Sequence, residues 1–201
     1  MQVSSIQQNA KDIFHRYGGI LRTSELLKLG VHPRTLYQMR ESGEVVELSR
    51  GVYRLAELPE LESSDLVAVA RRVPSGVICL VSALSFHALT TEIPHEVYLA
   101  ILRGKEKPRL DYPPTRVFHF SPESFSAGVE EHRADGNLIK VYSPEKTIAD
   151  CFKFRNKIGL DVAIEALKMC LAKNGSHKKI LEFARLCRVE KVIRPYLEAI
   201  Q

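Results

Sequence analysis

Residues 22–55, RTSELLKLGVHPRTLYQMRESGEVVELSRGVYRL, constrain the fold of this chain more than any other segment. Their order reads as a short helix, a tight turn, a second helix and a two-stranded ribbon. Thr23 or Ser24 is placed to cap the first helix, and Glu25 favours the positive end of its dipole. Leu26, Leu27 and Leu29 supply its apolar side. Gly30 ends it, because glycine takes the left-handed conformation without a Cβ clash. Val31 plugs the turn. Pro33 follows His32 and opens the second helix at the one position where a missing N–H costs nothing. Leu36 and Met39 face inward, while Arg34, Thr35, Tyr37, Gln38 and Arg40 are left outside. Gly43 closes the helix.

The ribbon pairs Val45-Val46-Glu47-Leu48 with Val52-Tyr53-Arg54-Leu55 across Ser49-Arg50-Gly51, a glycine-ended turn between β-branched runs. Arg50 stands at its tip. Upstream, Ile6, Ala10, Ile13, Phe14 and Tyr17 recur at helical spacing and predict a supporting helix with a buried stripe. Three helices and a hairpin in this order make a winged helix-turn-helix, whose last helix, the one opening at Pro33, enters the major groove of double-stranded DNA. Arg34 and Gln38 lie one turn apart on one face and are the expected base readers, since arginine pairs bidentately with guanine and glutamine with adenine. Thr35, Tyr37 and Arg40 are expected to hold phosphates. So are Arg50 and Arg54 on the wing and Lys28 or Arg22 beside the first helix.

Charge supports that reading only in part. The chain has 201 residues and a net charge of +5. Residues 1–58 hold eight Lys/Arg against six Asp/Glu, residues 59–139 hold eight against eleven, and residues 140–201 hold thirteen against seven. The positive excess therefore sits in the C-terminal third, so the module is expected to act through few phosphate contacts per protomer, through two protomers, or with help from the C-terminal region. No run of apolar residues is long enough to span a membrane. The N-terminus lacks the pattern of a signal peptide. Cys79, Cys151, Cys170 and Cys187 stand singly, as small buried hydrophobes of a reducing compartment do. The expected location is cytoplasmic.

The rest of the chain predicts an α+β class. A polar boundary falls around residues 56–63 and contains Pro59. A helix follows at about 64–73 with Leu66, Val67, Val69 and Ala70 apolar. Residues 77–81 read as a buried strand, and Ser82 as the cap of a helix through SALSFHALT. Residues 95–102 and 115–120 read as strands, and Asp135-Gly136 as a hairpin turn between 129–133 and 138–142. From Ser143 the pattern is helical, at about 144–155, 160–173 and 177–187, with a last helix broken near Pro195. The expected domains are residues 1–58, the winged helix-turn-helix, and residues 59–201. The second comprises a small mixed or antiparallel sheet with flanking helices (59–142) and a helical bundle (143–201).

Catalytic patterns are sparse. Ser143-Pro144-Glu145-Lys146 matches SxxK, but serine before proline is an ordinary helix start and the companion elements of acyl-transfer enzymes are missing. His87, His95, His119 and His132 are scattered, with no HExxH and no Cys/His ligand spacing. There is no [DE]xK element, no DxD, no GxxxxGK[ST] and no GxGxxG. No enzymatic activity, cofactor or metal site is expected.

Two blocks carry a resemblance: TSELLKLGVHPRTLYQMRESGEVVELSRGVYRL, and SPEKTIADCFKFRNKIGLDVAIEALK at residues 143–168, with SALSFHALT between them. Together they resemble the AbiEi antitoxins of type IV toxin–antitoxin systems linked to abortive infection by phage. The resemblance implies a winged helix that represses its own operon at promoter inverted repeats. It also implies a C-terminal domain that counters a nucleotidyltransferase-like toxin without a stable complex. It places the recognition helix on residues 33–42 and the wing on 45–55. Asp150, Lys153, Arg155, Asn156, Lys157 and Asp161 become the polar signature of the antitoxin domain. Phe152, Ile158, Leu160, Val162, Ala163, Ala166 and Leu167 beside them are expected core. Asp150 with Arg155 or Lys157 can simply be an ion pair that sets the helix corner; alternatively Lys153, Arg155 and Lys157 contact a nucleic acid or the toxin's target. Other readings of the whole chain are a ligand-sensing winged-helix regulator with no toxin partner, a nuclease with a degenerate site, and a winged helix that binds protein.

Overall fold

A computed structural model describes residues 5–58 and 63–200. Residues 59–62, including Pro59 of the expected boundary, lie outside the described residues. The chain divides into two compact units: Met1–Pro74 with Pro108–Pro114 and Arg133–Ile139, and Ser75–Lys107 with Thr115–His132 and Lys140–Gln201.

In the first unit the order is α1 (Ser5–Arg16), β1 (Ile20–Arg22), α2 (Thr23–Lys28), α3 (Pro33–Glu41), β2 (Val45–Ser49), β3 (Val52–Leu55) and α4 (Ser64–Arg72). The strands form one antiparallel sheet in the order β1-β3-β2. Strand β1 is an addition to the sequence reading. Three residues are too few to show alternation, yet Leu21 pairs with Tyr53 and stitches the entry of α2 to the wing. Ala10, Phe14, Leu26, Val31, Leu36, Met39, Val45 and Leu55 build the core, so Val31 does fill the turn.

Several expectations at the edges of this core change. Ile6 and Tyr17 are 63% and 47% exposed, because the core beneath α1 is only wide enough for Ala10, Ile13 and Phe14. Leu27 is also exposed, and α2 buries Leu26 alone in full. Neither Thr23 nor Ser24 caps α2. Its N-cap is Arg22, whose N–H donates to Glu25 Oε2 at 2.8 Å, while the Thr23 N–H donates to the Gly51 carbonyl. Once β1 has formed, strand pairing takes the first residue of the helix and the cap moves back by one.

The second unit holds most of a five-stranded sheet, β6-β5-β4-β8-β7, made of β4 (Val77–Ile78), β5 (Val97–Leu102), β6 (Thr115–Phe120), β7 (Val129–Ala134) and β8 (Asn137–Tyr142), the hairpin end at Arg133–Ile139 counting with the first unit. It is mixed: β4 runs antiparallel to β5 and parallel to β8, and β5 runs parallel to β6. Asp135 and Gly136 both take positive φ, as a type I′ hairpin turn demands. Helices α5 (Leu80–Phe86), α6 (Pro122–Ser126), α7 (Pro144–Lys153), α8 (Arg155–Ile158), α9 (Leu160–Ala172), α10 (His177–Leu186) and α11 (Glu190–Ala199) complete it.

The expected strand at 77–81 is mostly helix. Only Val77 and Ile78 join the sheet, Cys79 is the N-cap and α5 starts at Leu80. A short apolar run is equally compatible with a buried strand and a buried helix, and here burial on all sides removes the periodicity that would separate them. Ser82 lies inside α5 instead of capping it, and its hydroxyl oxygen accepts the Tyr98 N–H at 2.9 Å. Pro195 does not break α11, which continues through it with Ile193 and Leu197 buried. All four cysteines are free and buried, as expected. Among the described residues no helix is long and apolar enough to cross a membrane.

Candidate nucleic-acid interface

The interface is built on α3. His32 is its N-cap, with Nδ1 accepting the Arg34 N–H at 3.1 Å, and Pro33 occupies the first turn. Thr35, Leu36 and Met39 are buried on one side, so Arg34, Tyr37 and Gln38 project from the other. Arg34 and Gln38 are exposed one turn apart, the arrangement a pair of base-edge contacts requires.

Not every expected contact residue is available. Thr35 is not outside; it is 7% exposed and packs beneath the helix, because position 35 falls on the same stripe as Met39. Arg54 is not on the outer face of the wing either. It is buried, and its Nη2 donates to the Leu58 carbonyl at 2.5 Å. All four residues of β3 are buried, since this strand lies between β1 and β2 with both faces covered, and alternation along it could not have shown this. Arg40 is exposed, but it pairs with Glu47 of the wing at 3.2 Å and lies over the Tyr37 ring at 5.3 Å. Glu47 in turn accepts the Gly51 N–H at 2.9 Å. Arg40 thus fixes the wing against the helix. Burial, with Glu47 next in effect, raises the Tyr53 hydroxyl above its ordinary pKa.

Arg50 is where the sequence placed it, at the hairpin tip with its side chain 82% exposed. Among the described residues it has one ion pair, to Asp111 at 3.9 Å, which is long and largely exposed, worth only about 0–1 kcal/mol. Lys28 is exposed and Arg22 half-buried. Lys28 also borders a shallow depression of about 340 Å³ with Tyr17, Leu21, Glu25, Leu29 and Arg71. Arg71 of α4 was not anticipated. It is bound to Glu25 at 3.1 Å and to the Ile20 carbonyl, so α4 braces the entry to the helix-turn-helix.

The signature of the second unit forms a different kind of structure. Asp150 pairs with neither Arg155 nor Lys157. It bonds Lys146 Nζ at 2.5 Å, one helical turn back, and both side chains are fully buried. Cys187 Sγ donates to the other Asp150 oxygen at 3.2 Å, and the ammonium lies 4.4 Å from the Tyr142 ring and 5.0 Å from the Phe120 ring. Burial pushes the Asp150 carboxyl up, against the opposing pull of Lys146, and raises the Cys187 thiol to about 12. Ser143 is a helix cap, its Oγ accepting the Lys146 N–H at 3.3 Å, which accounts for the SxxK match. Arg155 donates to the Phe152 carbonyl; Asn156, Lys157 and Asp161 are exposed and Lys153 half-buried. Leu160 is 37% exposed at the start of α9, while Phe152, Val162, Ala163, Ala166 and Leu167 are core. Lys153, Lys157 and Arg116 lie over the rings of Phe154, Phe118 and Tyr98, with Arg116 also paired to Glu96 at 3.6 Å, a grouping that the sequence does not show because Arg116 is 37 residues upstream of Lys153.

Residues 9–56 match a family described as transcriptional regulator, AbiEi antitoxin. That segment contains α2, α3 and the whole wing. No curated protein matches the sequence significantly. The crystal structure of the RV2827C protein from Mycobacterium tuberculosis is similar in fold, with a TM-score of 0.65 over 90% of this chain and 72% of that one, at 11% identity.

Proposed function

We propose that this chain, whose residues 9–56 match the AbiEi antitoxin transcriptional regulator family, is a cytoplasmic repressor of its own promoter and the antitoxin of a type IV pair. Residues 1–58 bind double-stranded DNA at inverted repeats, with α3 in the major groove and the β2–β3 wing against phosphate. Residues 59–201 counter a nucleotidyltransferase-like toxin without forming a stable complex with it. The observation that carries the reading is the exposure of Arg34 and Gln38 on one face of a helix that opens at proline, with an accessible arginine at the adjoining wing tip.

Arg34, Gln38 and Tyr37 supply the contacts at the helix, Arg50 and Lys28 those at its flanks. With so few cations per protomer, two protomers on two half-sites give the affinity that one cannot. The test is binding of the chain to DNA from upstream of its own gene and to a scrambled duplex of equal length, at one fixed salt concentration. A promoter preference of at least about 10³-fold is the expected result, the lower end for specific regulators. Equal affinity for both duplexes contradicts the reading. Arg50→Ala is expected to reduce the salt slope of binding by about one unit per protomer while leaving the promoter preference unchanged, as removal of a phosphate contact does. A changed preference would reassign Arg50 to base reading. Toxin neutralisation is tested by searching beside the gene for a nucleotidyltransferase-like reading frame and co-expressing it with the chain lacking residues 1–58; absence of such a frame counts against the antitoxin reading. Rescue of growth supports a separate antitoxin domain.

A further inference from the structure

Three side chains remote in sequence meet at the end of α5. His87 is the C-cap residue of that helix, and Glu130 and His132 alternate along β7 so that both emerge on one face of the strand. One ligand atom from each lies within 4.8 Å of the others, and among the described residues this is the one group of three His, Cys, Asp or Glu side chains so placed. From these positions the geometry assigns a binding site for a divalent transition-metal ion of the zinc class, held by His87, Glu130 and His132.

Three observations support it. The His87 ring is already oriented, because Nε2 lies 2.8 Å from the Tyr142 carbonyl. A carbonyl can only accept, so Nε2 carries the hydrogen and Nδ1 the lone pair. Metal-bound histidines are held in this way by a second hydrogen bond from the ring nitrogen that does not bind the ion. His132 Nε2 and Glu130 Oε2 are 3.0 Å apart, so one proton already lies where a cation would bridge them. The Phe86 ring stands edge-on to both imidazoles, at 5.2 and 5.0 Å, and walls the site on one side. Lys173 Nζ occupies the carbonyl oxygens of His87 and Ala88, which leaves the three side chains as the ligands.

Two imidazoles and a carboxylate suit zinc, with a fourth position left to solvent. In a tetrahedral set with bonds of about 2.1 Å the ligand atoms are about 3.4 Å apart, so rotamer adjustment of roughly an ångström closes the site. Glu130 and His132, 43% and 32% exposed, have room for it. The bound ion ties the end of α5 to β7.

The experiment titrates Zn²⁺ into chelator-treated full-length protein by calorimetry, with Co²⁺ absorption as a second readout. One equivalent per chain is expected, with the visible bands of low-coordinate Co²⁺ and a raised melting temperature. His132→Gln and Glu130→Gln are each expected to weaken binding at least tenfold while the far-UV circular dichroism stays unchanged. His87→Gln is half-buried and can disturb folding, so the two more accessible variants decide. Absence of a saturable equivalent, or wild-type affinity in both variants, overturns the site.

Discussion

Replacing Lys146 by methionine is expected to lower the free energy of unfolding by about 3–5 kcal/mol, the cost of leaving a buried carboxylate without its cation. The two groups are 2.5 Å apart and neither has any solvent exposure, so water cannot take the place of the lost ammonium. Asp150 keeps one bond, from the Cys187 thiol, and a neutral thiol does not balance a charge. Chemical denaturation monitored by circular dichroism measures the loss. Lys146→Met with Asp150→Leu should recover most of it, because a buried pair replaced by apolar groups of similar volume is often no less stable. The double-mutant cycle then isolates a coupling that neither single substitution reports. If both single variants unfold at the wild-type denaturant concentration, the pair does not hold this unit together. Gly128 is part of the same arrangement: a Cβ there would fall 2.7 Å from Lys146 Cβ at a φ of +71°, so Gly128→Ala should destabilise the same unit.

The second large effect concerns recognition. Arg34→Ala is expected to cost about 1–3 kcal/mol of discrimination between promoter and random DNA, the usual worth of one bidentate arginine–guanine contact. In a two-protomer complex the loss is counted twice. Gln38→Ala should relax preference at a neighbouring base pair, one turn along the same helix face. Competition binding against single-base operator variants separates the two, since each substitution should abolish preference at its own position and leave the others intact. Thr35→Ala serves as the comparison: Thr35 is buried beneath α3 and should change stability without changing sequence preference.

What could be read from the sequence follows from how local each signal is. Gly30, Pro33 and Gly43 punctuate the helix-turn-helix within one short segment, and Leu36 and Met39 set its inner face, so α3 is legible to the residue at its start. The same holds for Thr115–Phe120 and for the Asp135-Gly136 turn. What was not legible depends on partners far along the chain. Strand β1 exists because β3 offers it an edge, and Arg54 turns inward because both faces of β3 are covered. An ion pair of Asp150 with Arg155 or Lys157 is one of two readings the sequence allows, whereas the helix presents Lys146 one turn before it. That i, i+4 spacing was visible, but full burial of a lysine is rare enough that nothing local argues for it. His87 and His132 are 45 positions apart in sequence, and only the fold brings them together.

The central claim is that α3 lies in the major groove of the chain's own promoter. Dimethyl sulfate protection tests it most directly, because the reagent methylates guanine N7, the major-groove atom an arginine at position 34 would cover. Protected guanines are expected in each arm of an inverted repeat, and one guanine in each arm should become reactive again in Arg34→Ala. Unchanged guanine reactivity under conditions where the promoter fragment is fully bound would contradict it.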